Sequence, residues 1–147
     1  MRVYEEIKQY FDIEELVCPH ILEVHGKTAW RLFDSRLLEV ILWLRRKVNK
    51  PIYVNWHDRG ITQRGIRCNL CQIVKDKSAK SILYVSAHPL AAGVDLEIEG
   101  MLAEESRNWI EKNKYGLPYP IRLERNVSWV HLDVLVISDE KVTYINP

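Results

Sequence analysis

The sequence has 147 residues, of which 47% are hydrophobic and 28% are charged, with 6 glycines and 6 prolines. This length suits one domain with one hydrophobic core, and the composition excludes a disordered, collagen-like or low-complexity chain. The 21 Lys and Arg residues nearly balance the 20 Asp and Glu residues, which leaves a net charge of +1. A chain this close to neutral lacks the basic surface typical of proteins that bind nucleic acids or anionic membranes, so we predict neither partner.

The first third of the chain is predicted to contain one well-defined helix after an irregular lead-in. Residues 1–33 form the lead-in, with a short amphipathic helix near residues 3–10. From Ser35 to Val48, apolar residues recur at three- and four-residue steps, which is typical of a helix with one buried face. Asp34 directly precedes this segment and is therefore the predicted N-cap.

The rest of the chain is predicted to be rich in short strands. A strand at residues 51–55 precedes a long loop at 56–80, which has room for one helical turn; long loops in compact domains are more often functional than idle. The other predicted elements are a helix at 102–113 and strands at 81–86, 93–99, 121–124, 129–137 and 141–145. This order predicts a single α+β domain over residues 1–147, with a small, mainly antiparallel sheet and helices packed on it.

Two of the predicted strands separate polar from aliphatic side chains. Aliphatic residues alternate with Asp95, Glu97 and Glu99 in one strand, and with Trp129, His131 and Asp133 in the other. A solvated face accounts for the acids of the first strand. An aromatic ring, an imidazole and a carboxylate together are more typical of the floor of a cleft.

Two of these polar residues, Asp95 and His131, form a candidate metal site with an upstream histidine, His88. His88 lies seven positions before Asp95, so that convergence with His131 would combine two imidazoles with one carboxylate. Such a set suits a catalytic zinc ion whose fourth position stays open for water. Zinc would lower the pKa of that water toward ~7 and polarise a carbonyl, which predicts hydrolysis of an amide or related bond. The alternative is that the three are ordinary core or surface residues, since 5 histidines and 20 acids offer several such triples.

The segment Ser86-Ala-His88-Pro-Leu-Ala-Ala-Gly-Val-Asp95, followed by Trp129-Val-His131-Leu-Asp133, resembles the zinc-binding signature of one peptidase family. This family comprises D-alanyl-D-alanine carboxypeptidases, L,D-type peptidoglycan endopeptidases and phage endolysins, and it shares its fold with the hedgehog signalling domain. Its pattern is Ser-x-His, six residues, Asp, and a distant histidine near the C-terminus. Upstream, Gln63-Arg-Gly65-Ile-Arg67 is similar to the family's Ser-Gly-Tyr-Arg turn, and residues 11–16 resemble its N-terminal lead. The resemblance therefore covers most of the chain.

The resemblance implies a hedgehog-like metallopeptidase fold and a role for each matching residue. The zinc ligands would be His88, Asp95 and His131. Arg67 would bind a carboxylate or carbonyl of a peptidoglycan stem peptide, because a planar guanidinium makes bidentate contacts. Asp133 would orient His131 or another group of the site without binding the metal itself, and Ser86 would buttress the strand that enters the site.

Three further side chains are candidates for contact with the substrate. Trp129 belongs to the predicted cleft floor and could line a cleft for sugar or peptide, as could Trp56. His57 lies in the long loop and could also contact substrate; the alternative is a polar loop histidine without a role.

The sequence departs from the family pattern at the general base. Many members place a Glu or Asp three residues before the last histidine, where this chain has Ser128, and hedgehog-like members place a glutamate about six residues upstream, where Arg125 stands. Glu124, at the end of a predicted strand, is our candidate base. A salt bridge from Glu124 to Arg122 or Arg125 is the alternative.

The three cysteines suggest a second metal site. Their odd, sparse number predicts reduced thiols and no disulfide framework. Cys68-Asn-Leu-Cys71 has the spacing of a metal-binding pair, and Cys18-Pro-His20 could complete a four-ligand structural zinc site. The alternative is that these are ordinary thiols that bind no metal. A more remote alternative is a zinc-stabilised adaptor that binds nucleic acid or protein, but the balanced charge of the chain argues against it.

These observations together predict a Zn²⁺-dependent metallopeptidase from a phage or prophage, which hydrolyses amide bonds in peptidoglycan stem peptides as a carboxypeptidase or endopeptidase. The alternative, motivated by Ser128, is an inactive cell-wall-binding or protein-interaction module on the same fold. We expect a monomer that is cytoplasmic as synthesised, because charges interrupt the N-terminus where a signal peptide needs apolar residues. It would reach the cell wall through a holin or on a virion. No apolar segment approaches the ~20 residues of a membrane span.

Overall fold

A five-stranded sheet lies at the centre of the computed structural model, which describes residues 2–81 and 83–147. Its strands are β1 (Ile52–Tyr53), β2 (Gly93–Ile98), β3 (Ile121–Glu124), β4 (Val130–Asp133) and β5 (Val142–Ile145). Their order across the sheet is β1-β2-β4-β3-β5, and every neighbouring pair is antiparallel except the parallel pair β3–β5. The predicted α+β class with a small, mainly antiparallel sheet is therefore confirmed.

The described residues also form α-helices. They are α1 (Arg2–Ile7), α2 (Pro19–His25), α3 (Ser35–Val48), α4 (Gln72–Ser78) and α5 (Ala103–Asn113). Short 3-10 helices occupy Ile13–Glu15, Gly26–Leu32, His57–Arg59 and Lys114–Gly116. In the two described ranges, no helix has the length and apolar character needed to cross a bilayer.

The sheet has an aliphatic face and a polar face. Val94, Leu96 and Leu132 are at most 1% exposed and join the apolar residues of α3 in the main hydrophobic core. Because side chains alternate along a strand, Asp95 and His131 project from the opposite face. The strands thus hold polar side chains on a rigid support, against which the aliphatic core packs.

Helix α3 begins where the sequence predicts. The side chain of Asp34 accepts a hydrogen bond from the backbone N–H of Arg36, 3.0 Å away, while Asp34 itself is extended. The same carboxylate also pairs with the Arg36 guanidinium at 2.6 Å. At the other end, Asn49 adopts the left-handed conformation, with φ of 50°, and terminates the helix.

We expect Asp34→Ala to lower the free energy of unfolding by about 1 kcal/mol, because it leaves a first-turn amide without its acceptor. Urea denaturation followed by circular dichroism measures this change. The matched control is Asp34→Asn, which keeps a side-chain oxygen and loses only an ion pair on the surface. Equal losses in both variants would show that the ion pair, and not the cap, stabilises the helix.

The lead-in contains more regular structure than predicted. The short helix near residues 3–10 is present as α1, but α2 and the 3-10 helices at 13–15 and 26–32 were not predicted. Pro19 occupies the first turn of α2, directly after Cys18 as N-cap. Proline at this position is a known helix-start signal, since its missing N–H has no partner there in any case.

Several predicted strands differ from those observed. The strand at 81–86 is wrong for the described residues of this segment: residue 81 lies in a turn, and 83–86 form no strand. Leu83 and Val85 are 88% and 61% exposed, so this segment buries no apolar face against the core. Residue 82 lies outside the described residues. The predicted strand at 51–55 is observed only as the two-residue strand β1. The strand predicted at 129–137 ends at Asp133, whose carboxylate accepts a hydrogen bond from the backbone N–H of Leu135.

Candidate metal centre and cleft

The register of β2 and β4 brings Asp95 and His131 together, because the antiparallel ladder pairs these two residues directly. Asp95 Oδ1 lies 2.8 Å from Nδ1 of His131. His88 arrives from the turn before β2, with its Nε2 3.3 Å from the same oxygen. All three side chains are buried. The structure therefore assembles the predicted ligand triple, which we call the cleft cluster.

The outer nitrogens of both histidines have fixed partners. Nδ1 of His88 is 2.9 Å from the carbonyl oxygen of Gly65, and Nε2 of His131 is 2.9 Å from Oδ2 of Asp133. These contacts leave His88 Nε2 and His131 Nδ1 facing Asp95. Metal-binding histidines usually have such outer partners, because donating the second N–H fixes the tautomer and the ring orientation.

The facing atoms of the cleft cluster fit a tetrahedral cation. Zinc bonds of about 2.0–2.1 Å to nitrogen and oxygen place neighbouring ligands about 3.3 Å apart. The distances from Asp95 Oδ1 to the two nitrogens are 2.8 and 3.3 Å, and one donor atom from each residue lies within 4.8 Å of the others. Two imidazoles and one carboxylate leave one tetrahedral position for water or substrate, as in catalytic zinc sites.

The protonation of the cluster follows from burial and pairing. Burial opposes ionisation of Asp95, but hydrogen bonds from His131 and His88 outweigh it and hold the pKa of Asp95 well below its usual value. Burial also opposes the charged form of His131, yet its hydrogen bonds to Asp133 and Asp95 raise its pKa to about 9. The metal-free cluster therefore holds an imidazolium between two carboxylates at neutral pH, and a bound cation must displace that proton.

Asp133 is fully buried and holds His131 in place, which matches the predicted orienting contact. Its carboxylate accepts two hydrogen bonds from Arg122, at 2.8 and 3.0 Å, and the backbone N–H of Leu135 at 3.0 Å. Gly93 lies opposite Asp133 in the sheet, where an added Cβ would come within 2.8 Å of the Asp133 Cβ. A glycine is needed at this point for the strands to bring the carboxylate next to the imidazole.

Arg67 approaches the cluster, but the protein itself occupies its guanidinium. Nη2 is 3.0 Å from Asp95 Oδ2, Nε donates to the carbonyl of Gln63, and Nη1 is 3.4 Å from the Tyr84 hydroxyl. Arg67 therefore shares Asp95 with the two histidines. These contacts use three of the five N–H donors of the guanidinium, so the predicted contact with a substrate carboxylate competes with the Asp95 pair.

Glu124 lies on the polar face of β3. The β3–β4 register pairs Arg122 with Asp133, and its continuation sets Glu124 opposite His131. Glu124 also lines the cavity over the cleft cluster. The alternative salt bridge is absent from the described part of the chain: Arg122 pairs with Asp133, while Arg125 stacks on the Tyr144 ring at 4.2 Å. The Glu124 carboxylate has no hydrogen-bond or ion-pair partner among residues 2–81 and 83–147.

An open groove runs over the cleft cluster. A cavity of about 450 Å³ includes all three cluster residues in its wall. An adjoining cavity of about 340 Å³ shares Arg67, Asp95 and Trp129 with it and extends along residues 60–64. The predicted functional loop therefore forms part of the groove wall, and Trp129 borders both halves.

The remaining predicted contact residues differ in position. Ser86 lines the groove, and its hydroxyl donates to the Tyr84 oxygen at 3.1 Å. His57 does not line the groove: its side chain is exposed, and its Nε2 lies 3.1 Å from the carbonyl oxygen of Glu14. Ser128 borders a different cavity.

Tyr84 and Lys77 are among the residues of the groove wall that the sequence analysis missed. Tyr84 contacts Arg67 and Ser86, and Lys77 projects from α4 into the same cavity. Within the described ranges, Lys77 has no ion-pair partner. The signal for Lys77 was its position in the loop at 56–80, where the sequence predicted room for one helical turn and the structure has the seven-residue helix α4.

A second group of four potential ligands is also assembled: Cys18, His20, Cys68 and Cys71. The fold and these two groups define a small α+β domain compatible with a metal-dependent protein. Comparison with protein-family models, with curated proteins and with solved structures finds no match to this chain. Its further assignment therefore depends on the geometry of the two groups and on the sequence resemblance.

Proposed function

We propose that this chain is a zinc metallopeptidase that hydrolyses amide bonds in peptidoglycan stem peptides, as a carboxypeptidase or endopeptidase. The observation that carries the proposal is the buried His88, Asp95 and His131 cluster at the floor of an open groove. When bound there, zinc would polarise the scissile carbonyl and lower the pKa of water. The substrate class comes from the resemblance of the Ser86–Asp95 and Trp129–Asp133 segments to the peptidase family.

Glu124 is the general base in this proposal. Its carboxylate lies on the same sheet face as His131, lines the groove and has no competing partner in the described chain. It accepts a proton from the attacking water and then delivers that proton to the leaving amine. Proton transfer of this kind needs a carboxylate within hydrogen-bond reach of both groups, which a position one strand away from His131 supports.

Asp133 and Gly65 act by positioning. Their oxygen atoms hold the outer nitrogens of His131 and His88, so that both rings present their other nitrogen to the same point. Arg122 keeps Asp133 ionised, because its two hydrogen bonds and its charge join those of His131 in lowering the pKa of Asp133 against the effect of burial. The cluster is thus preorganised before substrate arrives.

The groove suits an extended peptide that carries carboxylates. It continues on both sides of the wall formed by Asp95 and Trp129, so a chain of several residues can lie across the cleft cluster. Lys77 offers a cation without a partner among the described residues, and Trp129 offers an apolar surface. In this proposal Lys77 takes the substrate carboxylate that the sequence analysis assigned to Arg67.

The test compares wild type with His131→Ala for bound metal and for release of soluble muropeptides from purified peptidoglycan. We expect the variant to contain one equivalent of zinc less than wild type and to release no product. His25→Ala, which changes a histidine outside the cleft, is the matched control and should behave as wild type. Wild type that binds zinc and peptidoglycan without hydrolysis would instead indicate the non-catalytic cell-wall-binding module.

A further inference from the structure

Two distant parts of the chain meet at a cluster of cysteines outside the groove. Cys18 and His20 lie at the start of α2, whereas Cys68 and Cys71 lie in the turn before α4. One donor atom from each residue lies within 4.8 Å of the other three. We call these four residues the thiol cluster. The proposed peptidase chemistry uses none of them.

The distances within the thiol cluster match those around a tetrahedral zinc ion. Zinc–sulfur bonds of about 2.3 Å and zinc–nitrogen bonds of about 2.0–2.1 Å place two sulfurs about 3.8 Å apart, and a sulfur and a nitrogen about 3.6 Å apart. The Sγ atoms of Cys68 and Cys71 are 3.9 Å apart, and Nδ1 of His20 lies 3.5 and 3.9 Å from them. All three cysteines are free thiols, so no disulfide competes for them.

The surroundings favour a closed site, in which burial raises the pKa of the Cys71 thiol, so that a bound cation must displace its proton. Backbone N–H groups of Leu70 and Cys68 donate to the sulfurs of Cys68 and Cys71, each at 3.4 Å. Such bonds stabilise negative charge on sulfur. Cys18 and Cys71 are almost fully buried. Three cysteines and one histidine fill all four tetrahedral positions with soft or imidazole ligands, which is typical of structural zinc and leaves no position for substrate.

We propose that the thiol cluster binds one structural Zn²⁺, which fastens the turn at residues 65–71 to the lead-in. The two segments already meet here, where Cys18 N–H donates to the Ile66 carbonyl and Ile66 N–H donates to the Leu16 carbonyl. The residues next to Ile66 on either side, Gly65 and Arg67, contact His88 and Asp95 of the cleft cluster. The structural ion therefore fixes the segment that supports the cleft, without taking part in its chemistry.

Cobalt substitution tests this proposal independently of peptidase activity. The probe is Co²⁺, added under reducing conditions to metal-free full-length protein carrying His88→Ala and His131→Ala, which disable the cleft cluster. We expect this variant to bind one equivalent of Co²⁺ with intense thiolate-to-cobalt charge-transfer absorption, and Zn²⁺ to displace it. Absence of that absorption in folded protein would overturn the proposal, whether or not the wild type is a peptidase.

His20→Ala and His25→Ala form a matched pair for the fourth ligand, because both histidines lie in α2. In the background lacking the cleft cluster, His20→Ala should weaken Co²⁺ binding roughly tenfold or more, since one of four bonds is lost. His25→Ala should bind as the parent. Equal affinities in the two would exclude His20 as a ligand.

Thiol alkylation of the wild-type protein tests the proposal even if these variants fail to fold. We expect Zn²⁺ to protect Cys68, the one cysteine of the cluster that is not fully buried, from N-ethylmaleimide in the wild-type protein, as measured by intact mass, and chelation to restore its reactivity. Equal alkylation rates with and without Zn²⁺ would overturn the proposal.

Discussion

Glu124→Gln is expected to reduce the release of soluble muropeptides by about 10²–10⁴-fold, the usual contribution of a positioned general base. The amide keeps the size of the side chain but cannot accept a proton from water. Because the Glu124 carboxylate has no hydrogen-bond or ion-pair partner within the described residues, the substitution breaks no side-chain contact of the fold. We therefore expect the zinc content, the thermal unfolding temperature and the binding of peptidoglycan to remain at wild-type values, so that only the rate changes.

Two controls separate this role from a general effect of charge. Glu140→Gln removes the same charge from an exposed position outside the groove and should leave the rate unchanged. Ser128→Ala should also be silent, because Ser128 borders a different cavity although it occupies the position of the family's usual acid. A Glu124→Gln variant with the wild-type rate would exclude Glu124 as the base. A loss of rate in Ser128→Ala would instead indicate that the turn before β4 contributes to the reaction.

The sequence predicts an element of the fold well where local signals alone determine its bounds. Helix α3 has an apolar period, an aspartate cap and a terminating asparagine, and its observed bounds are those predicted. Strand β3 is likewise observed as predicted. The lead-in depends on distant contacts instead. The buried amide of Asn55 donates to the carbonyls of Glu14 and Val17. Hydrogen bonds between residues about forty positions apart leave no signal in the local periodicity of the sequence.

The same difference between local signals and distant contacts explains which residues of the site could be predicted. Alternation along β2 and β4 placed Asp95, His131 and Asp133 on polar faces, and His88 was added for its position seven residues before Asp95; the structure brings all four together. The contacts of the arginines could not be predicted, because they depend on strand order. Arg122 reaches Asp133 only because β3 lies beside β4, and Arg67 reaches Asp95 only because the loop folds back over β2.

Asp95→Asn is expected to have the largest effect on stability, because Asp95 is the centre of the charge network in the cleft. Its carboxylate pairs with the Arg67 guanidinium at 3.0 Å and with the His131 ring at 2.8 Å. Removing one partner of a buried ion pair typically costs about 3–5 kcal/mol, since the remaining charge stays buried without compensation. We expect a loss of this order in the unfolding free energy of the metal-free protein, measured by urea denaturation, together with loss of one zinc equivalent and of hydrolysis.

The exposed Asp139→Asn substitution changes the same charge elsewhere and should leave stability and metal content unchanged. A double variant, Asp95→Asn with His131→Gln, should be more stable than the sum of the two single losses predicts, because it removes the imidazolium together with its partner. The thiol cluster supplies an internal reference: its charge-transfer absorption with Co²⁺ should persist in Asp95→Asn, which would place the damage in the cleft. If Asp95→Asn unfolds like wild type, the carboxylate does not hold the network together, and the preorganisation of the two histidines must come from Gly65 and Asp133 alone.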